Sequence, residues 1–211
     1  MRSRPWYMII DGDGLRYPGA RAVWLGIVAT SVLATGCGHG GDATGPDTVP
    51  TGERAEHLAA MKDRLDDPPR LAPMRIADVI ALPTFPRAYS RSQLAEISAI
   101  EDRGVIVEGH VACIRVMDDG DYHVQITEVP VGCLGRDTTD QLITELTPGI
   151  RARRPQYTLG ALRALCGADT RVRVSGWLLY DSPHNGDSGR STPWEVHPIT
   201  RIEVCCWQDL A

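Results

Sequence analysis

The second half of the chain alternates apolar and polar residues in the manner typical of β-strands, beginning near Gly104. Val105–Met117 is long, rich in β-branched residues and free of proline, and the turn sequence Asp118–Asp121 separates it from the alternating run Tyr122–Thr127. These two runs are predicted to form a β-hairpin. Three later runs predict further strands: Gln141–Leu146, Arg171–Tyr180 and Trp194–Cys205.

Apolar residues at helical spacing predict three short helices. Glu53–Leu65 carries one apolar stripe, and Ser92–Asp102 carries another, with Ser92 as its candidate N-cap. Tyr157–Leu165 is a third candidate helix, placed between the third and fourth strands. Residues 70–91 contain three prolines and are predicted to be irregular coil.

From residue 104 the order of elements is β-β-β-α-β-β, and this order resembles the OB-fold, a five-stranded Greek-key barrel. The long first strand fits that fold, and Gly109 and Gly176 fall inside strands where a barrel needs bends. We therefore predict a mainly β protein with an OB-like barrel over residues 104–206 and a helical and irregular lead-in over residues 53–103. A helical Gln141–Leu146 would instead give a plain α+β sheet.

The N-terminal segment has the features of an export signal. Arginines precede Ala22–Gly36, an uncharged apolar run of 15 residues, whereas a bilayer-spanning helix needs about 20. The run closes on Leu33–Cys37, which resembles a bacterial lipobox. The resemblance implies that residues 1–36 are a signal peptide and that Cys37 is acylated. The alternatives are an ordinary exported protein cut near Cys37 and a short membrane anchor.

The segment after the predicted cleavage site is a predicted tether. Residues 37–52 are mostly glycine, proline, threonine and aspartate, which cannot bury enough apolar surface to order themselves. Acyl chains on Cys37 would hold the protein in the cell envelope, and Gly38 favours the outer membrane if the host has two. Removal of residues 1–36 takes away four arginines and two aspartates, so the net charge changes from −5 to −7. This acidic charge argues against nucleic acid as a partner, because phosphate backbones require a basic face.

Five cysteines follow the predicted acylation site, and exported chains fold where disulfides form. Cys133 and Cys166 flank the predicted third strand and the helix after it, and they are predicted to form a disulfide. Cys113 is predicted to be a small buried residue of the first strand. Cys205 and Cys206 are adjacent, so we expect one of them to pair elsewhere or stay free. The spacings fit neither a Cys-x-x-Cys redox motif nor a zinc–cysteine site.

Histidines and carboxylates share one face of two predicted strands. The alternation puts Asp121 and His123 opposite the apolar residues of the second strand, and it does the same for Glu195 and His197 on the last strand. With Glu145 as a further carboxylate, these residues could bind a ligand or a metal ion, or act as a general acid and base. Alternatively, each histidine–carboxylate pair is a local structural bond, because the two strands need not meet on the outside of a barrel.

The same residues carry a resemblance to a family. Asp121–Val124 and Trp194–Pro198 are similar to an Asp–aromatic–His–aliphatic motif and a Glu–aliphatic–His–Pro motif of exported bacterial lipoproteins with an OB-like domain. The resemblance covers about Val105–Val204. It implies the fold and names no activity.

The leading functional hypothesis is a non-catalytic envelope lipoprotein whose barrel binds a small ligand or a protein partner, without a cofactor. The binding candidates are Asp121, His123, Glu195 and His197, and the polar loop Asp181–Pro193 is expected to border the cleft. The chain has no P-loop, no Gly-x-Ser-x-Gly and no His-Glu-x-x-His motif.

Two other functions stay open at this point. One is a metal-dependent or acid/base hydrolase that uses His123, Glu195 and His197. The other is nucleic-acid binding by the barrel, which requires arginines and aromatic residues to line one groove. The arginine concentration comprises Arg151, Arg153, Arg154, Arg163, Arg171 and Arg173.

Overall fold

The computed structural model describes residues 45, 47–133, 141–167, 170–187 and 189–205. The predicted signal peptide, the predicted acylation site Cys37, most of the tether and Cys206 lie outside these residues. In chain order the elements are α1 (Thr51–Lys62), β1 (Leu71–Met74), α2 (Ile76–Ile80), α3 (Arg91–Glu101), β2 (Gly104–Val116), β3 (Tyr122–Thr127), β4 (Glu145–Leu146), α4 (Pro148–Arg153), α5 (Leu159–Arg163), β5 (Arg171–Tyr180), a 3₁₀ turn (Ser182–His184) and β6 (Trp194–Val204).

The predicted hairpin is present and starts the barrel. β2 pairs antiparallel with β3, from His110 opposite Thr127 to Val116 opposite Tyr122. The connecting turn contains Gly120 at φ +90°, a conformation that favours glycine. A register shift between Val111 and Cys113 bends β2, whose first half pairs with β5 instead. One long strand therefore serves both sides of the barrel.

The five strands of the barrel run in the order β4-β3-β2-β5-β6. The two ends of this order meet where Thr144 forms a parallel bridge with Val196, and the Val196 N–H donates to the Ile143 carbonyl at 3.1 Å. A sheet of five strands that closes by pairing its third and fifth barrel strands in parallel is the arrangement of an OB-like barrel. The predicted mainly β, OB-like fold is confirmed.

The core lies inside this barrel and extends under the lead-in. Val124 and Ile126 of β3 and Leu178 and Val196 of the β5–β6 pair are completely buried. Burial of each such side chain contributes about 1.5–3 kcal/mol. Ile97 of α3 joins the same cluster, so the lead-in is part of the folded unit.

The lead-in contains more regular structure than the sequence predicted. Residues 70–91 were expected to be coil, but β1 pairs parallel with β2 from Leu71 opposite Gly104 to Met74 opposite Val107, and α2 follows. Proline has no backbone N–H. Pro73 is tolerated because β1 is an edge strand, where a residue need not donate a hydrogen bond to the ladder. The end of the predicted tether is also ordered, since residues 47–50 lie against residues 89–91 and bury Val49.

Helix boundaries differ from the sequence predictions at their caps. The N-cap of α3 is Ser90, whose side chain accepts from the Gln93 N–H, and not Ser92. The dipeptide Pro148-Gly149, which follows the third barrel strand, begins α4 with Thr147 as its N-cap. Within the described ranges, the helices fall short of the length and apolar character that a membrane span requires.

The third barrel strand is shorter than predicted. Only Glu145–Leu146 forms a ladder, although Leu142 and Thr144 make single bridges to Ile126 and Val196. The segment is extended and not helical, which removes the α+β alternative. The buried polar residues of this segment therefore lie between β3 on one side and β6 on the other.

Cys133 and Cys166 form a disulfide, with their Cα atoms 5.2 Å apart. The predicted pairing is confirmed. Cys113 is buried in β2, as predicted, and Cys205 is half-buried just after β6.

Candidate functional site

Three barrel strands and two loops bring polar side chains together on the outer face of the barrel. Val124 and Val196 point into the core, so the residues on either side of each of them point outward. The loop between β2 and β3 ends at Asp121, and the loop between β5 and β6 covers residues 181–193. We call the group formed by Asp121, His123, Glu145, Glu195 and His197 the His–carboxylate cluster.

Register places Glu145 at the centre of this cluster. It lies opposite His123 in the β3–β4 ladder, and the parallel bridge one residue earlier sets it beside His197 of β6. His123 Nε2 is 2.6 Å from Glu145 Oε1, and His197 Nδ1 is 2.8 Å from Glu145 Oε2. The two histidines therefore contact opposite oxygens of one carboxylate.

The other two carboxylates stand farther from His197. Its Nε2 is 3.6 Å from Asp121 Oδ2, and its Nδ1 is 3.6 Å from Glu195 Oε2. His197 is completely buried, yet neither ring nitrogen has a hydrogen-bond partner of acceptable geometry. Glu195 Oε2 also lacks one. Buried polar atoms without partners are rare in folded proteins, and strain, a catalytic role, or a bound water or ion can account for them.

A second tier of charged residues surrounds the cluster. Arg190 pairs with Glu195 and lies 3.6 Å from Asp181. Asp181 Oδ2 lies 2.7 Å from His184 Nδ1 and 3.8 Å from Nζ of Lys62, at the end of α1. The loop 181–193 thus supplies Asp181, His184 and Arg190 to this second tier. Lys62, the only lysine of the sequence, adds a cationic group from the end of α1.

The network changes the protonation of its members. Burial lowers the pKa of His197, but Glu145 and Glu195 outweigh burial and raise it to about 9. Burial raises the pKa of Glu145, yet its contacts with His123 and His197 leave that pKa below the ordinary value. Burial, and next the charge of Glu145, raise the pKa of Glu195. Burial is also the main cause that raises the pKa of Asp121.

A cavity of about 440 Å³ gives access to the cluster. Its lining includes Lys62 and Leu65 at and just after the end of α1, Pro148 at the start of α4, and Asp121. Asp121 is 7% exposed, whereas Glu195 and His197 are fully covered. A larger cavity of about 700 Å³ lies beside β1 and α2, away from these residues. We place the candidate site at the smaller cavity because the chemistry is there.

The structure brings all four predicted binding candidates, Asp121, His123, Glu195 and His197, into one place. Glu145, predicted only as an additional carboxylate, is the residue that joins them. Sequence reasoning missed Lys62, Arg190 and Asp181. Two signals in the sequence could have found them. Arg190 and Asp181 lie in the polar loop 181–193, and Lys62 is the one lysine among many arginines.

Asp121, Glu145 and His197 are also the residues that can hold a metal ion. Each offers one donor atom, and the three donor atoms lie within 4.8 Å of one another. All three residues are buried. The set combines one imidazole nitrogen with two carboxylate oxygens, a donor mixture that suits divalent transition metals.

Two members of the arginine concentration make contacts within the protein. Arg151 stacks on Tyr122 and donates to the Gly120 carbonyl, and Arg173 pairs with Glu108. Trp177 and Tyr180, aromatic residues of β5, are 7% and 2% exposed. These contacts favour structural roles for the residues involved.

Comparison with known proteins finds distant structural similarities only. No protein-family model and no curated protein matches the chain. Among solved structures, a chain of the Stn1-Ten1 complex of S. pombe is 17% identical, with 64% of this chain aligned to 79% of that chain at a TM-score of 0.37. An OBody bound to hen egg-white lysozyme is also 17% identical, with coverage of 57% and 92% and a TM-score of 0.34.

Proposed function

We propose that this chain is a lipid-anchored protein of the cell envelope, and that its OB-like barrel is a non-catalytic binding module. The binding site in this proposal is the His–carboxylate cluster. The observation that carries it is the fully buried His197, whose two ring nitrogens face carboxylates without a hydrogen-bond partner of acceptable geometry.

The location of the cluster supports a binding role. OB-folds bind their ligands on the face of the second and third barrel strands and on the loops that follow the first and fourth. Here the loop after the first barrel strand supplies Asp121, and the loop after the fourth supplies Asp181 and Arg190. The barrel strands between them supply His123 and Glu145.

The test of binding is native mass spectrometry of the full chain, isolated from its own membrane in mild detergent. We expect the wild-type protein to carry an additional mass, whether a small molecule, an ion or a partner chain. Glu145→Gln should lose it, because Glu145 joins both histidines, whereas Glu108→Gln, on the far side of the barrel beside Arg171 and Arg173, should keep it. A wild-type protein without any bound species contradicts the proposed site.

The anchoring half of the proposal rests on the lipobox at Leu33–Cys37 and has its own test. Intact-mass analysis should show a chain that begins at Cys37 and carries acyl groups. Cys37→Ser should remain uncleaved, with residues 1–36 still attached. An unmodified wild-type chain of full length would exclude lipid anchoring and leave the binding site untouched.

Acid/base hydrolysis is the alternative that one observation favours, namely the shared contact of His123 and His197 with Glu145. Against it, Glu195 and His197 are fully covered and Asp121 and His123 are only 7% and 6% exposed, so a substrate would have little access to the acid and base that hydrolysis requires. Assays with nitrophenyl esters and phosphates separate the two functions. A turnover that disappears in His197→Gln would identify a hydrolase, whereas we expect no turnover above buffer.

A further inference from the structure

We propose that the His–carboxylate cluster binds one divalent transition-metal ion, such as Zn²⁺, through Asp121, Glu145 and His197. This inference rests on the proposed function, because it names the ligand of the same site. The sequence prediction assigned no cofactor to the leading function and left a metal ion at these residues as an open alternative.

The donors are of the right type and close enough. One imidazole and two carboxylates lie with their donor atoms within 4.8 Å of one another, and small side-chain rotations bring such atoms around a single ion. An imidazole nitrogen in the set favours a transition metal over Mg²⁺ or Ca²⁺, which prefer oxygen alone.

His197 provides the second, independent observation. It is completely buried and both of its ring nitrogens lack a hydrogen-bond partner of acceptable geometry, although three carboxylates surround the ring. Asp121 lies 3.6 Å from Nε2, too far for a hydrogen bond and close to the separation of two ligands of one ion. Asp121 also borders the 440 Å³ cavity, so it offers an entry path.

Charge balance favours a dication. Four carboxylates, those of Asp121, Glu145, Asp181 and Glu195, are buried in the cluster and its second tier. Among the described residues, two permanently cationic side chains, Lys62 and Arg190, pair with them, and the histidines His123, His184 and His197 also contact them. Burial of negative charge is costly unless it is paired, and a divalent ion would add positive charge where the carboxylates converge.

Neighbouring residues hold the donors in place. His123 contacts the Glu145 oxygen opposite the one that faces His197, and Arg190 pairs with Glu195. Such contacts orient metal ligands in many proteins, and their loss typically weakens metal affinity about 10–100-fold. His123 and Arg190 are therefore positioning residues in this proposal.

The test is titration of the full chain, purified in mild detergent and stripped with a chelator, with ZnCl₂ and separately with MgCl₂, followed by calorimetry. We expect one Zn²⁺ per chain and binding of Zn²⁺ at least about tenfold tighter than binding of Mg²⁺. His197→Ala should abolish the Zn²⁺ site, and Asp121→Asn at the rim should weaken it about tenfold or more. Glu108→Gln, which alters a carboxylate of β2 that pairs with Arg171 and Arg173 and not with the cluster, should bind like wild type.

A second measurement guards against variants that do not fold. Zn²⁺ should raise the melting temperature of the wild-type protein and of Glu108→Gln, and should raise that of Asp121→Asn much less. Co²⁺ in place of Zn²⁺ should give visible absorption bands that His197→Ala lacks. A wild-type protein that takes up no Zn²⁺, or an Asp121→Asn variant that binds as tightly as wild type, overturns the inference.

The outcomes separate this inference from the proposed function. If the wild-type protein carries an organic molecule or a partner chain that Glu145→Gln loses, and takes up no Zn²⁺, the proposed binding module stands and the proposed metal site is wrong. No bound species in the isolated protein and no Zn²⁺ uptake removes both.

Discussion

His57 shows how one buried carboxylate connects the lead-in to the barrel. Its Nε2 lies 2.6 Å from Glu101 Oε2, and the other oxygen of Glu101 accepts the Tyr180 N–H of β5 at 3.0 Å. Glu101 is 1% exposed, so the contact is screened little by water. The pKa of His57 is raised above 6.5, first because of its hydrogen bond with Glu101.

We expect the contact between His57 and Glu101 to stabilise the fold in acid and to lose this effect as the pH rises. An imidazole whose folded-state pKa is raised contributes fully below the unfolded value of about 6.5, and the contribution disappears as the pH passes the folded-state pKa. The free energy of urea unfolding of wild type minus that of His57→Gln should therefore shrink as the pH rises above about 6.5. A difference that grows with pH contradicts this prediction, and Glu56→Gln, exposed on the same helix, controls for changes in α1 itself.

At the scale of elements, the bend of the β5–β6 pair depends on Gly176. The register shifts on both sides of this residue, where β6 crosses close to β5. A Cβ atom added at Gly176 would lie 2.3 Å from the Pro198 carbonyl oxygen and 2.8 Å from a methyl group of Val196. β6, which carries both Glu195 and His197, approaches β5 this closely because Gly176 has no side chain.

Gly176→Ala should destabilise the protein by about 2 kcal/mol or more, because backbone atoms cannot move aside as a flexible side chain does. Gly160→Ala is the matched control, since a Cβ there meets nothing within 4 Å in α5. Alanine at a helical position is about 0.5–1 kcal/mol more favourable than glycine, so the control should be neutral or stabilising. Thermal unfolding followed by circular dichroism measures both, and equal effects of the two substitutions would show that the close approach is unimportant.

At the scale of the whole molecule, separate segments meet on the barrel. α1 lies over the charged loop through Lys62, the Trp177 indole donates to the Asp66 carbonyl at 3.0 Å, and the Trp194 indole donates to the Pro83 carbonyl at 2.8 Å. The Cys133–Cys166 disulfide joins the segment after β3 to the end of α5 across a separation of 33 residues. Without these segments, the parts of the barrel surface that they contact would be exposed to solvent.

Replacement of both Cys133 and Cys166 by alanine should lower the free energy of unfolding by about 3–4 kcal/mol, because an open loop of this length gains entropy in the unfolded chain. Urea unfolding of the double variant and of wild type with and without reductant measures the effect. Cys113→Ala is the control for reductant, and its response to reductant should match that of the wild type. An unchanged midpoint in the double variant would contradict the prediction.

Local patterns determined much of this protein. Alternation in Tyr122–Thr127 and the β-branched run before it identified the hairpin, because both signals depend on neighbours within one strand. The order of elements was sufficient for the barrel topology, and the same alternation assigned His123 and His197 to outward faces. Residues 70–91 show the limit: their prolines hid β1, which forms only because β2 offers it an edge.

Only the tertiary structure decided that the outward residues form one site. Glu145 meets His123 through an antiparallel ladder and His197 through a parallel bridge, and these pairings join segments about 20 and 50 residues apart. Alternation determines the face of a strand on which a residue lies, but it does not determine which strands become neighbours. That depends on the closure of the barrel, where packing of the whole core selects the register.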